Sequence, residues 1–149
     1  MRQNRITYLF LCIAVAVMAV SCSPRHLVIL HTNDTHSQIE PVRVGRDRDK
    51  GGVERRLQYI NSVREKAGRR NVLLLDAGDY NQGTPYFTVA KGDLEIELMN
   101  ALGYDVATLG NHEFDNGQEE LARRLSSAEF VTVTCNYDFS GSVLKDYIK

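Results

Sequence analysis

Cysteine is scarce in this sequence, at three residues in 149, which excludes a disulfide-stapled scaffold. An excess of one charge is also missing. The formal net charge is −1, and without the N-terminal Arg2 and Arg5 the chain carries 16 basic against 19 acidic side chains. That balance excludes the basic patch that a nucleic-acid polymer requires. No apolar run reaches the roughly 20 residues that span a bilayer. Repeats and low-complexity tracts are absent. So are the P-loop, the Gly-rich dinucleotide fingerprint, H-E-x-x-H and G-x-S-x-G, each the signature of a different enzyme chemistry. What is present, 43% hydrophobic and 25% charged residues, is the composition of one soluble globular domain.

The N-terminus reads as a targeting segment. Arg2 and Arg5 precede an apolar run from Tyr8 to Val20, and small residues follow. A charged start, a short apolar stretch and a small-residue cleavage site describe a secretory signal peptide. Ala19-Val20-Ser21 followed by Cys22 has the form of a bacterial lipobox. Residues 1–21 are therefore expected to be removed, and Cys22 to carry lipid as the first mature residue. This predicts an exported protein, held by its lipid anchor in the bacterial cell envelope, periplasmic or at the cell surface. Cys12 leaves with the signal, so Cys135 has no partner and is expected to be a buried, inert thiol.

Strand and helix signals alternate along the rest. Leu27 to His31 is a β-rich run. Val53, Leu57, Ile60 and Ala67 recur at helical spacing between Gly52 and Gly68. Val72 to Leu75 is a buried-strand run. Asp93 has the character of an N-cap for a helix through Leu94, Leu98 and Leu102 that ends at Gly103. Asp105 to Leu109 gives a strand, Gly117 to Ala128 a helix, and Phe130 to Thr134 a strand whose outer edge is expected to be unpaired. Residues 40–50 are charged and aperiodic, a long solvated loop. This βαβαβαβ order predicts a parallel sheet with packed helices.

In open α/β sheets, ligands bind beyond the carboxyl ends of the strands. Every predicted strand delivers polar groups there. After the first comes Asp34-x-His36, an oxygen and a nitrogen donor whose side chains point the same way if the segment is extended; a plain polar turn is the competing reading. After the second comes Gly78-Asp79, a carboxylate able to bridge two cations or to cap a loop, with Asp76 as a rival. After the third comes Gly110-Asn111-His112, a neutral amide beside an imidazole. Asp115 either serves the site or, like Asn116, caps the following helix.

Taken in order, His31-Thr32-Asn33-Asp34-Thr35-His36, Gly78-Asp79 with Gln82-Gly83-Thr84, and Gly110-Asn111-His112-Glu113-Phe114-Asp115 resemble the calcineurin-like metallophosphoesterases, in particular the bacterial 5′-nucleotidase and UDP-sugar hydrolase branch. The resemblance covers residues 27–137. It implies that residues 22–149 are the N-terminal portion of the catalytic domain, a truncated βαβαβαβ half of a four-layer αββα fold. It also implies two divalent metal ions, Mn, Zn or Fe. Asp34 and His36 would bind the first, Asp79 would bridge both, and Asn111 would bind the second. His112 would stabilise charge on the phosphoryl or leaving group, with Asp115 orienting its ring. The implied activity is hydrolysis of extracytoplasmic nucleotides, a hydroxide generated at the metals attacking phosphorus.

One departure stands out. The family pattern continues with a lone histidine and a His-x-His pair, whereas this sequence has no histidine after His112. The family's separate C-terminal nucleotide-binding domain has no counterpart either. The alternatives to a nucleotidase are a cyclic-nucleotide phosphodiesterase, another phosphoesterase of the same fold, or a non-catalytic lipoprotein remnant.

Overall fold

The computed structural model describes residues 26–149. The expected signal segment and Cys22 lie outside the described residues. The chain forms β1 (Val28–Thr32), α1 (Val53–Ala67), β2 (Val72–Asp76), α2 (Pro85–Ala90), α3 (Asp93–Leu102), β3 (Val106–Ala107), α4 (Gln118–Leu125) and β4 (Val131–Thr132). The four strands make one parallel sheet in the order β1-β2-β3-β4. In a parallel sheet of sequential order, crossovers of one hand, right-handed in nearly all proteins, return the helices over the same face. The result is one helix layer on one sheet, two of the four layers expected.

The register explains which side chains meet the helices. Val28, Leu30 and Thr32 pair with Val72, Leu74 and Asp76, and the partners on β2 are buried. Ile29 and His31 pair with Leu73 and Leu75 on the opposite face, where Ile29 is 55% exposed. The covered face continues into one core, with Leu74, Ile96, Met99, Leu102, Ala107, Leu121, Leu125 and Leu144 all buried. At about 25 cal/mol per Å² of apolar surface removed from water, this core is the main stabilising term.

Several local expectations are corrected. In α1, Ile60 and Arg64 are the buried positions, whereas Leu57 is 37% exposed. Arg64 turns inward because it donates to the carbonyls of Leu102 at 2.6 Å and Gly103 at 2.6 Å, closing the open end of α3. Gly103 does end that helix, in the left-handed conformation. Asp93 is the first helical residue and Gly92 the cap. Neither Asp115 nor Asn116 caps α4, since Gly117 does, and the helix spans only Gln118–Leu125. The third and fourth strands shrink to two residues each, because their flanks turn away into the site and the C-terminal loop. Helix α2 was not foreseen; Pro85 at its first turn fixes the backbone for a helix start.

Two further expectations fail at the C-terminal side. Cys135 is exposed, because the apolar run breaks after Thr134. The outer edge of β4 is partly covered. The Lys149 N–H donates to the Thr132 carbonyl at 2.9 Å and the Thr134 N–H to the Lys149 carbonyl at 3.2 Å, while Leu144 is fully buried below. The sequence from Phe139 to Ile148 carries the apolar residues that make this return possible.

Candidate metal centre

The loops that follow β1 and β2 continue side by side beyond the sheet. The N–H groups of Asp34, His36 and Ser37 donate to the carbonyls of Gly78, Asp79 and Tyr80 at 3.1, 3.0 and 2.9 Å. The pairing is not that of extended strands. Asp34, His36, Ser37 and Asp79 have φ values of 52°, 45°, 51° and 54°. Non-glycine residues in the left-handed region are uncommon, and Asp and His are among those that tolerate it. The expectation that an extended backbone aligns Asp34 with His36 is therefore wrong in mechanism. Two left-handed turns bring them together instead, with His36 Nε2 3.5 Å from Asp34 Oδ1.

Asp79 joins them. One ligand atom each from Asp34, His36 and Asp79 lies within 4.8 Å of the others. Such spacing suits oxygen and nitrogen donors around one divalent ion, and two carboxylates with an imidazole are the donor set for Mn²⁺, Zn²⁺ or Fe²⁺. The residues present therefore fit a metal. Asp79 reaches this position because glycines surround it. Gly78 sits at φ 96°, and a Cβ there would lie 2.6 Å from the Gly110 nitrogen. A Cβ on Gly110 would collide with Asp79 Oδ1.

The loop after β3 closes the site. The His112 N–H donates to Asp79 Oδ1 at 3.0 Å, and the rings of His36 and His112 meet edge to face at 5.2 Å. His112 Nδ1 lies 2.8 Å from Asp115 Oδ2, which leaves Nε2 as the nitrogen free to act. This hydrogen bond to Asp115 raises the pKa of His112 above its ordinary value. Asn111 is exposed and opens the short 3-10 turn His112–Phe114. Asp76 takes the structural role: its two oxygens accept from the Gly78 N–H at 2.9 Å and from Thr32 Oγ1 at 2.5 Å. Burial raises its pKa.

Sequence reasoning assigned no role to Glu113. It is fully buried, and its carboxylate accepts from three backbone N–H groups, those of Asp79 at 2.9 Å, Asn81 at 3.2 Å and Gly110 at 2.6 Å. It pins the second loop to the third and holds Asp79 from behind. Burial raises its pKa, against those three donors, which lower it. Arg124, also buried, donates to the Glu113 carbonyl at 3.0 Å and fixes the clamp to α4. An acidic residue between His112 and Phe114 carries no periodic signal that separates it from a solvated one.

Residues 27–148 match the family model described as calcineurin-like phosphoesterase. The chain belongs to that family. Among relatives, human 5′-nucleotidase is 44% identical over 133 residues, covering 85% of this chain and 23% of the relative. The snake venom 5′-nucleotidase of Gloydius brevicauda is 43% identical over 136 residues, covering 86% and 22%. Among solved structures, a 5′-nucleotidase precursor from Thermus thermophilus superposes with a TM-score of 0.74 at 42% identity, covering 82% of this chain and 24% of that one. The NAD nucleotidase of Haemophilus influenzae gives 0.72 at 35% identity, covering 82% and 23%. The chain thus spans about a quarter of the length of these relatives. As a calcineurin-like phosphoesterase, it has the fold that the ordered motifs imply, and the family implies divalent metal ions.

Proposed function

We propose that the protein is a metal-dependent phosphoester hydrolase that acts on nucleotides, with the carboxyl edge of its sheet as the reaction site. The observation that carries this reading is the convergence of Asp34, His36 and Asp79 beside the His112–Asp115 pair. The relatives' names, 5′-nucleotidase among them, favour nucleotide phosphomonoesters as the substrate class.

In this reading Asp34 and His36 hold a first ion, Asp79 contributes to both ions, and Asn111 contributes to a second. When bound, the pair supplies Lewis acidity at the phosphoryl group and lowers the pKa of water to about 7. The chain's own residues do the rest. Glu113 keeps Asp79 from swinging away. Asp115 fixes His112 Nδ1 so that Nε2 faces the substrate, where it stabilises charge or donates a proton to the leaving oxygen. Such a contribution is worth on the order of 10²–10⁴-fold in rate. Residues 22–149 are read as the N-terminal portion of the catalytic domain, with a separate C-terminal nucleotide-binding domain as in the family. Residues 1–21 are read as a signal peptide. Cys22 is read as the site of a lipid anchor that tethers the protein to the membrane of the cell envelope. A mature N-terminus other than Cys22 would overturn the anchor.

The test is phosphate release from AMP and from an aryl phosphate by the native gene product with Mn²⁺. Asp79→Ala is expected to lose both metal binding and turnover. His112→Ala is expected to keep its metal and lose kcat, because its contribution lies in the transition state. Turnover that survives Asp79→Ala would sink the proposal.

A further inference from the structure

Directly behind the candidate metal loops is a small cavity that the proposed chemistry does not use. Ser37, Tyr80, Glu95 and Arg56 line it, with Met99 and Leu102 on the helix side, and its volume is about 30 Å³. Ser37, Tyr80 and Glu95 are 3%, 2% and 4% exposed. Ser37 Oγ, Tyr80 Oη and both Glu95 carboxylate oxygens have no hydrogen-bond partner among the described residues. Leaving a buried polar group without a partner is destabilising, and more so when the group is charged. The three side chains that carry these four atoms all line this one cavity, and together they call for an occupant.

The geometry points to an ordered water held between Ser37, Tyr80 and Glu95, through which Glu95 of α3 acts as a positioning residue for the two metal-carrying loops. The positioning role rests on the metal reading above; the water itself does not. A water needs about 10–15 Å³ of such space and two to four polar partners. The chemistry is complementary. Two hydroxyls can donate to the water oxygen, and the carboxylate can accept its protons, which gives a full set of four bonds. A divalent cation fits poorly. Ca²⁺ takes about six to eight oxygens, and the unpartnered oxygens here number four. An organic ligand is too large.

The location gives the water its consequence. Ser37 follows His36 and Tyr80 follows Asp79, and their backbones are joined by the Ser37 N–H donating to the Tyr80 carbonyl at 2.9 Å. A water held by Glu95 therefore ties α3 to the residues adjacent to two of the three candidate ligands. Glu113 holds the second of these loops from the β3 side, so that loop is braced from two directions.

The experiment pairs a high-resolution crystal structure of the protein with Mn²⁺ titration of the wild type and of the Glu95→Leu, Glu95→Gln and Leu102→Ala variants. Density for one water within hydrogen-bond distance of Ser37 Oγ, Tyr80 Oη and the Glu95 carboxylate is expected. Glu95→Leu should expel it and weaken Mn²⁺ binding by about 10–100-fold, the usual cost of losing an outer-shell partner. Glu95→Gln keeps an acceptor and should recover most of the affinity. Leu102→Ala, an apolar wall of the same cavity, should lower Tm while leaving Mn²⁺ affinity unchanged. An empty cavity, a six-coordinate ion in it, or direct bonds from the hydroxyls to Glu95 would overturn the inference. So would a Glu95→Leu variant that binds Mn²⁺ as well as wild type, or a Leu102→Ala variant that loses as much affinity. Wild-type protein that binds no Mn²⁺ would instead defeat the metal reading, and the density would still decide the water.

Discussion

The two ends of the β2 strand obey different rules. From Val72 to Leu74 the chain is regular, and the inward Leu74 shares an apolar core with Ile60, Ile96, Leu102 and Leu121. From Asp76 to Gln82 regularity gives way. Here lie a buried carboxylate, left-handed residues at Asp79 and Gln82, and a glycine that touches the neighbouring loop. The first region is stabilised by non-directional burial, which tolerates modest changes of shape. The second is held by directed hydrogen bonds around charged groups, which do not. The core's stability is what lets the loops keep a conformation they would not adopt alone.

The largest effect is expected where both regimes meet. Glu113→Ala leaves three backbone N–H groups of the site loops without their acceptor. At about 1–3 kcal/mol per unsatisfied buried group, the loss approaches the roughly 5–15 kcal/mol that stabilises a typical domain. Urea denaturation should show a large fall in midpoint, and Mn²⁺ binding should vanish with it. A variant with unchanged midpoint would show that the two regions are not coupled through this residue.

A pair of substitutions should separate the regions. Leu74→Ala empties a fully packed position and should cost about 2–5 kcal/mol of stability, with Mn²⁺ affinity kept in the folded protein. Gly110→Ala drives a methyl into the Asp79 carboxylate. It should weaken Mn²⁺ binding by about 10–100-fold, the scale of a disturbed outer shell, with a smaller change in stability. Calorimetry of both variants tests this. If each lost stability and metal affinity in the same proportion, the contrast between regions would fail.

The smallest effect is local. Asp115 holds the His112 pKa up through a hydrogen bond at 2.8 Å. In metal-free protein, Asp115→Asn should let that pKa fall, so that the ring loses its proton at lower pH than in the wild type. NMR titration of the imidazole reads this directly. An unchanged midpoint would mean that Asp115 does not orient the ring.

The amino-acid sequence by itself determined the alternation of strands and helices, the boundaries of α1 between Gly52 and Gly68, and the polar groups gathered beyond the strands. These are legible because periodicity and glycine punctuation are local signals. It offered Asp76 only as a rival to Asp79, and the bonds to the Gly78 N–H and Thr32 Oγ1 gave Asp76 its structural role. Tertiary structure decided the rest. The left-handed turns at Asp34 and His36 depend on pairing with Gly78 and Asp79, more than 40 positions away. The clamp at Glu113 depends on three N–H groups, two of them more than 30 positions earlier in the chain. The short strands, the exposed Cys135 and the covered edge of β4 follow from how the C-terminal residues return to the sheet. In each case the deciding partner is distant in sequence, and nothing in the local pattern of a single segment specifies a partner that only packing brings near.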